Sequence, residues 1–300
     1  MFNLYFAGWG SKDADEYLQS LKANRLLSQA NERRVINAWE ASNVSHKLFI
    51  DSGAFSVAHA GKTVDIDDYI AYINSHPKIP IFVELDVIPF PVLNVTTAKE
   101  CCEASWQNYL YMKQHVITGC TLLPLYHFGE PREALERILN TEVNGELANY
   151  IGIGGRHGVS TDAQCKYFNE VFTVIQNSKN PKVKVHAFGI TVPKILESFP
   201  FYSADSTTWL QVAINGGIIR DDLSIVSISD NLRHKVGNVQ NMHEDAYALI
   251  EDEVTARNYD FDKLCRDYKL RLRYNIDVMR DWAKNYTYKG PEIFKTSRLF

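Results

Sequence analysis

The chain has 300 residues, 45% of them apolar and 23% charged, with a net charge of −4. These values exclude a disordered, collagen-like or coiled-coil protein, and no stretch approaches the roughly 18 uncharged apolar residues of a membrane helix. The overall charge argues against a simple basic nucleic-acid binder. The opening Met-Phe-Asn-Leu-Tyr-Phe-Ala lacks a basic flank and is too short for a signal peptide. Five cysteines, with no Cys-x2-Cys pair, predict reduced thiols in a cytoplasm rather than a disulfide framework or a structural zinc site.

In chain order, a strand over 2–7 precedes two helices within 13–41. A strand over 47–51 leads to a helix over 65–75 with an acidic first turn. A strand over 80–86 leads to a long helix over 96–116 that opens on Thr96 as N-cap. A strand over 122–128 precedes a helix over 131–140 with Pro131 at its first position. A strand over 150–154 precedes a helix over 161–177, with Ser160 and Thr161 as capping candidates. Strands over 183–189, 201–205 and 218–228 follow, the first two separated by a short helix over 193–198. The strands are near-continuous apolar runs, the pattern of strands buried on both faces. Eight strands alternating with helices predict an α/β fold, a (β/α)8 TIM barrel, with a doubly wound open sheet as the alternative. We expect one domain over 1–300, with a barrel core over 1–235 and a C-terminal helical extension over 236–300.

Residues 262–284 place Leu264, Tyr268, Leu272, Ile276, Met279 and Ala283 at spacings of three or four, one apolar helix face. Arg266, Arg273, Arg280 and Lys284 flank it. Residues 263–300 carry ten Lys or Arg against Asp267, Asp277, Asp281 and Glu292, a net +6 that leaves −10 for the rest of the chain. Aromatics are interleaved with these cations. The combination suits phosphate neutralisation with base stacking; the simpler alternative is a solvated helix face.

In a barrel the active site lies at the C-terminal ends of the strands. Those ends read Asp51-Ser52-Gly53-Ala54-Phe55-Ser56, Glu84-Leu85-Asp86, Tyr126-His127-Phe128-Gly129, Gly152-Ile153-Gly154-Gly155, His186-Ala187-Phe188-Gly189 and Ser203-Ala204-Asp205-Ser206. An aspartate directly after an apolar strand costs free energy unless it caps a helix, is hydrogen-bonded or is functional. Three of them on one rim favour chemistry over three separate caps. His127, His157 and His186 with Asp86 could instead meet around a metal, as in a metal-dependent barrel hydrolase, although their spacing specifies no such site.

These strand ends resemble the tRNA-guanine transglycosylases. Asp51-Ser52-Gly53-Ala54-Phe55-Ser56 is similar to that family's Asp-Ser-Gly-Gly-Phe-Gln motif. Leu85-Asp86 is similar to its base-recognising aspartate, Tyr150-Ile151-Gly152-Ile153-Gly154-Gly155 to its Gly-Gly turn, and Ser203-Ala204-Asp205-Ser206 to the strand end bearing its nucleophile. Ala54 and Ser56 depart from the motif, and the family's Cys-x-Cys-x2-Cys…His zinc site is missing. The chain is thus more similar to the divergent DNA-acting branch found in phages and genomic islands, which inserts 7-deazaguanines. The resemblance implies a base exchange with Asp205 as nucleophile and Asp51 as general acid/base. Asp86 would read the guanine-like edge, with Ser52, His127 and the backbone of Gly154 and Gly155 beside it and Phe55 and Phe188 sandwiching the ring. It further implies DNA, in preference to tRNA, as the polymer, and a base such as 7-cyano-7-deazaguanine. Accessory proteins or a second copy of the chain are further partners. No cofactor, metal or membrane is implied, and the setting is a bacterial or phage-infected cytoplasm. Arg266, Arg273, Arg280 and Lys284 would clamp the backbone while a guanine is flipped out or taken from a single strand. A non-catalytic nucleic-acid-binding barrel is the remaining alternative.

Overall fold

The computed structural model describes residues 2–54, 63–88, 95–155, 158–232, 234 and 237–294. Strands β1 (Asn3–Ala7), β2 (Asn24–Ser28), β3 (Leu48–Asp51), β4 (Ile81–Val83), β5 (Thr121–Leu123), β6 (Leu125–Tyr126), β7 (Tyr150–Gly154), β8 (Lys184–Phe188) and β9 (Ser203–Ser206) form one parallel sheet. Their order is β5-β4-β3-β2-β1-β9-β8-β7-β6. β5 and β6 stand at opposite ends of that order, yet only Pro124 separates them in the chain. Proline has no N–H to give to a ladder, so the strand changes partner there. β5 pairs with β4, β6 pairs with β7, and the Pro124 carbonyl accepts the Gly152 N–H at 2.9 Å. The sheet therefore closes on itself into a barrel that is broadly TIM-like though not strictly eight-stranded.

Helices α1 (Lys12–Ser20), α2 (Gln29–Glu40), α3 (Ile66–Asn74), α4 (Val95–His115), α5 (Arg132–Asn140), α6 (Thr161–Gln176) and α7 (Pro193–Ser198) surround it. Their starts follow the capping chemistry of the sequence. Asp65 accepts the N–H groups of Asp67 and Asp68, and Ser160 accepts that of Ala163. Along each strand alternate residues face opposite ways. Tyr5, Leu26, Phe49, Val83, Leu125 and Tyr150 pack inside the barrel, whereas Leu4, Leu27, Ile50, Phe82, Tyr126 and Ile151 pack under the helices. The same alternation turns Asp51, two residues after Phe49, and Asp205, two residues after Ser203, toward the inside of the mouth.

Three sequence expectations are corrected. Residues 24–28 form a barrel strand, β2, between the two helices expected within 13–41. Residues 218–228 are not the eighth barrel strand. They hold β10 (Gly217–Ile219) and β11 (Ile225–Ser227), an antiparallel hairpin outside the barrel. Arg220-Asp221-Asp222-Leu223 interrupts the apolar run, and Leu223 takes φ +62 in the turn. The C-terminal helix is broken at Asp267, whose side chain accepts the Lys269 N–H at 2.8 Å. It divides into α10 (Phe261–Arg266) and the long α11 (Tyr268–Asn285), after α8 (Thr208–Ile214) and α9 (Glu244–Ala256). α11 runs against the strand direction down the side of β1. Its Leu272 lies beside Gly10 above β1, and its Trp282 packs on Phe2 below.

β2 is hidden in the sequence because its Arg25 breaks the apolar pattern. The guanidinium is fully buried between sheet and helices. It donates to Asp15 Oδ1 at 2.8 Å and to the Phe6 carbonyl at 2.5 Å, and lies over the Trp39 and Trp209 rings. Removing one partner of a buried ion pair leaves an uncompensated charge, whereas replacing both with apolar groups can be neutral. Asp15→Ala should therefore cost about 3–5 kcal/mol in urea unfolding. The double variant Asp15→Leu/Arg25→Met should recover most of that loss. Equal stability of wild type and Asp15→Ala would refute the account.

Candidate active site at the barrel mouth

Three aspartates meet at the C-terminal ends of the strands. Asp51 closes β3 and accepts the Gly53 N–H at 3.1 Å. Gly53 sits at φ +79, and a Cβ there would fall 2.6 Å from both Ala30 Cβ and Ser28 Oγ, so the turn that presents Asp51 admits only glycine. Asp205, on β9, accepts the Gly189 N–H at 2.9 Å and faces His186 Nε2 at 3.2 Å, both through Oδ1. Asp86, buried past the end of β4, meets His127 Nε2 at 3.1 Å through Oδ2 and accepts the Ser52 hydroxyl at 3.3 Å through Oδ1.

Electrostatics link these groups. The Asp51 carboxyl is pushed up to about 7, first by burial, then by the negative charge of Asp86, with Asp205 and Glu32 adding and the Gly53 N–H opposing. A carboxyl in that range holds and releases a proton at neutral pH. Burial disfavours the charged His127 ring, but the hydrogen bond and charge of Asp86, joined by Glu130 and Asp51, prevail and raise it to about 9. The Asp86–His127 contact is therefore an ion pair at neutral pH. Burial also raises the Glu130 carboxyl, which accepts the His127 backbone N–H at 3.0 Å.

The remaining expected site residues fall as follows. Gly154 lies against the His127 ring, and a Cβ at that position would come within 2.8 Å of Nδ1. Gly155 backs onto Ile190. Phe188 packs edge-on to His186 and Phe49 at the top of the inner layer. Phe55 and His157 lie outside the described residues. Among the described residues no group of three His, Cys, Asp or Glu side chains is placed to hold a metal ion. His127 is engaged by Asp86, and His186 by Asp205 and Ser203.

The basic residues do not form a row of bare cations. Arg266, the last residue of α10, pairs with Asp230 at 3.2 Å, and Lys284 pairs with Asp281 at 3.1 Å. Arg273 lies over the Tyr17 ring, and Arg280 lines a surface cavity with Tyr17 and Asp277. Among the described residues no helix is long and apolar enough to cross a membrane.

Two acids of the mouth escaped sequence analysis. Glu32 follows the unforeseen β2 and accepts the Ser28 N–H at 2.7 Å. Glu130 stands three residues beyond His127 and was not part of a strand-end motif; its spacing to His127 is the only signal that would have found it. In comparisons with known proteins, no protein-family model matches the sequence and no curated sequence matches it significantly.

The raised Asp51 carboxyl carries a stability signature. The folded chain keeps this proton up to about pH 7, whereas an unfolded chain loses it near 3.8. Stability therefore falls as pH rises between those values and stays low above them. Asp51→Asn keeps an acceptor for the Gly53 N–H and removes the charge. It should stabilise the fold by about 1–3 kcal/mol at pH 8, discounted for the open mouth, and by roughly nothing at pH 4. Thermal unfolding at the two pH values checks this, and an equal effect at both would reject the coupling.

Proposed function

We propose that this barrel exchanges a guanine base in a polynucleotide, DNA in preference to tRNA, for a 7-deazaguanine such as 7-cyano-7-deazaguanine. A barrel with its polar groups at the C-terminal strand ends is a scaffold typical of enzymes. The observation that carries the finer reading is the placement of Asp51 and Asp205 on one inner rim, near enough that the charge of Asp205 helps to raise Asp51 to about 7. Base exchange needs two such carboxylates with different duties, as in retaining glycoside chemistry.

Asp205 attacks the anomeric carbon while the glycosidic bond breaks. The electron pair of that bond leaves with guanine, and Asp51, in its protonated form, supplies the proton. The incoming base then gives its ring-nitrogen proton to Asp51 and bonds to the anomeric carbon, and the carboxylate of Asp205 is released. Asp86, braced by Ser52 and His127, offers an acceptor to the N–H edge of a guanine-like ring. Gly154 and Gly155 belong to the same wall, and Phe188 and Phe55 are assigned to the ring faces. Arg273, Arg280, Arg266 and Lys284 are assigned to phosphates.

Incubation with labelled guanine and duplex DNA, single-stranded DNA or tRNA tests the reading, with incorporation into DNA expected. Asp205→Ala should abolish both exchange and any trapped sugar adduct. Asp51→Asn should bind polymer normally and lose turnover by roughly 10²–10⁴-fold. Exchange by Asp205→Ala at the wild-type rate, or no incorporation into any polymer, would overturn the assignment.

Polymer binding gives a separate test. Replacing Arg266, Arg273 and Arg280 together should weaken DNA binding and reduce the salt dependence of affinity by roughly 1–3 in slope, because fewer counterions are released. An unchanged slope would reduce α10 and α11 to structural helices.

A further inference from the structure

Behind Asp205 lies a polar chain that the exchange scheme leaves unused. His186 is completely buried inside the barrel, ringed by Tyr5, Phe49, Tyr150 and Phe188. Its Nε2 faces Asp205 Oδ1 at 3.2 Å and its Nδ1 faces Ser203 Oγ at 2.5 Å; Ser203 in turn bonds the Tyr150 hydroxyl. Asp205 is an acceptor, so Nε2 carries the hydrogen. Nδ1 is then the acceptor for the Ser203 hydroxyl, and Ser203 accepts from Tyr150. Every proton in the chain Tyr150–Ser203–His186–Asp205 is thereby assigned in one direction. Burial holds the imidazole below its usual range, outweighing the opposing pull of Asp205, which fits a neutral ring. The titratable groups that face it are Asp205, Tyr150 and Tyr5, and burial raises both tyrosines.

Both donors to Asp205, the His186 ring and the Gly189 N–H, converge on Oδ1. Among the described residues no hydrogen bond reaches Oδ2. The two oxygens are therefore inequivalent, one clamped and one available to a substrate in the mouth.

We propose that His186 is a positioning residue that sets Oδ2 of Asp205 as the attacking atom and holds Oδ1 through the covalent stage. This rests on the base-exchange reading above. When Oδ2 bonds to the anomeric carbon, Oδ1 becomes the carbonyl oxygen of the ester. When the incoming base displaces Asp205, the C–Oδ2 bond breaks and its electron pair returns to the carboxylate. Charge then grows on Oδ1, where the two N–H groups already point. Donors aimed at developing charge assist the step in which that charge appears. Loss of His186 should therefore slow release of the sugar more than its capture, and the adduct should accumulate.

The test compares His186→Phe with His186→Gln, whose amide can restore a donor near Nε2 and an acceptor toward Ser203. Quenched reactions with guanine-containing DNA and labelled incoming base should show turnover reduced roughly 10–10³-fold in His186→Phe. The fraction of enzyme trapped as adduct should rise severalfold above wild type, and His186→Gln should recover part of both effects. A merely structural role would lower turnover and adduct together and would gain nothing specific from Gln; that outcome overturns the proposal. Asp205→Ala, run alongside, separates the failures, since exchange without Asp205 defeats the base-exchange reading itself. ¹⁵N shifts of the His186 ring test the arrangement without substrate in the wild-type chain. A neutral Nε2–H tautomer from pH 5 to 8 is expected, and an Nδ1–H or protonated ring overturns the proposal even if no exchange is found.

Discussion

At Pro124 one strand exchanges β4 for β7 as its partner, and by doing so closes the barrel. A strand that changes partner in mid-course leaves the Leu125 N–H facing away from the β4 ladder, and the carboxyl of Glu84 accepts it at 2.7 Å. Glu84 also gives its own N–H to the Leu123 carbonyl at 3.0 Å, so one residue stitches both sides of the break. Burial drives this carboxyl well above its usual range, and among the described residues its second oxygen has no hydrogen-bond partner. Burial disfavours the charged form there, and the Leu125 N–H opposes that in part. Asp86 lies two residues beyond Glu84 and His127 two beyond Leu125. The same stitch therefore fixes the two residues that pair across the mouth.

The mouth itself is rich in acids. Asp51, Asp86, Asp205, Glu32 and Glu130 gather there; His127 is paired directly with Asp86, and Arg25 and Arg137 act on Glu32 and Glu130. Such a field disfavours phosphate at the centre and favours rings that present N–H groups or acquire positive character during reaction. In the proposed reading, the phosphates of a polymer stay outside that field. The ion pairs made by Arg266 and Lys284 are wholly or partly exposed and so of small worth.

Much of this was legible in the sequence, for identifiable reasons. Apolar runs ending in aspartate or glycine marked β3, β7 and β9 and placed Asp51, Gly154 and Asp205 at strand ends. Period-two alternation then decides that Asp51 and Asp205 face inward. β2 was not legible, because a buried arginine in Asn24-Arg25-Leu26-Leu27-Ser28 reads as a surface residue until Asp15 and the Phe6 carbonyl are seen beside it. With β2 went Glu32, whose place at the mouth depends on the turn that strand creates. Residues 218–228 read as one strand because composition does not reveal where a chain reverses. The pairing of Asp86 with His127 was out of reach as well, since it is set by a strand break and not by spacing.

The course of α11 bears on how the chain is made. Phe2, Leu4 and Phe6 face out of β1, and the helix that covers the lower part of this face arrives last. Tyr17 and Asp277, which bond at 2.7 Å between α1 and α11, are 260 residues apart in the chain. Synthesis at about 5–20 residues per second leaves an interval of roughly 15–60 s between the emergence of β1 and that of α11. During that interval β1 can pair with β2 on one edge; its other edge waits until β9 emerges, and part of its outer face stays bare until α11 does. Before β9 emerges, a nascent chain presents an open strand edge and a row of apolar side chains together, a combination prone to wrong association. The barrel strands can thus close before α11 arrives, and the lower outer face of β1 is sealed after them.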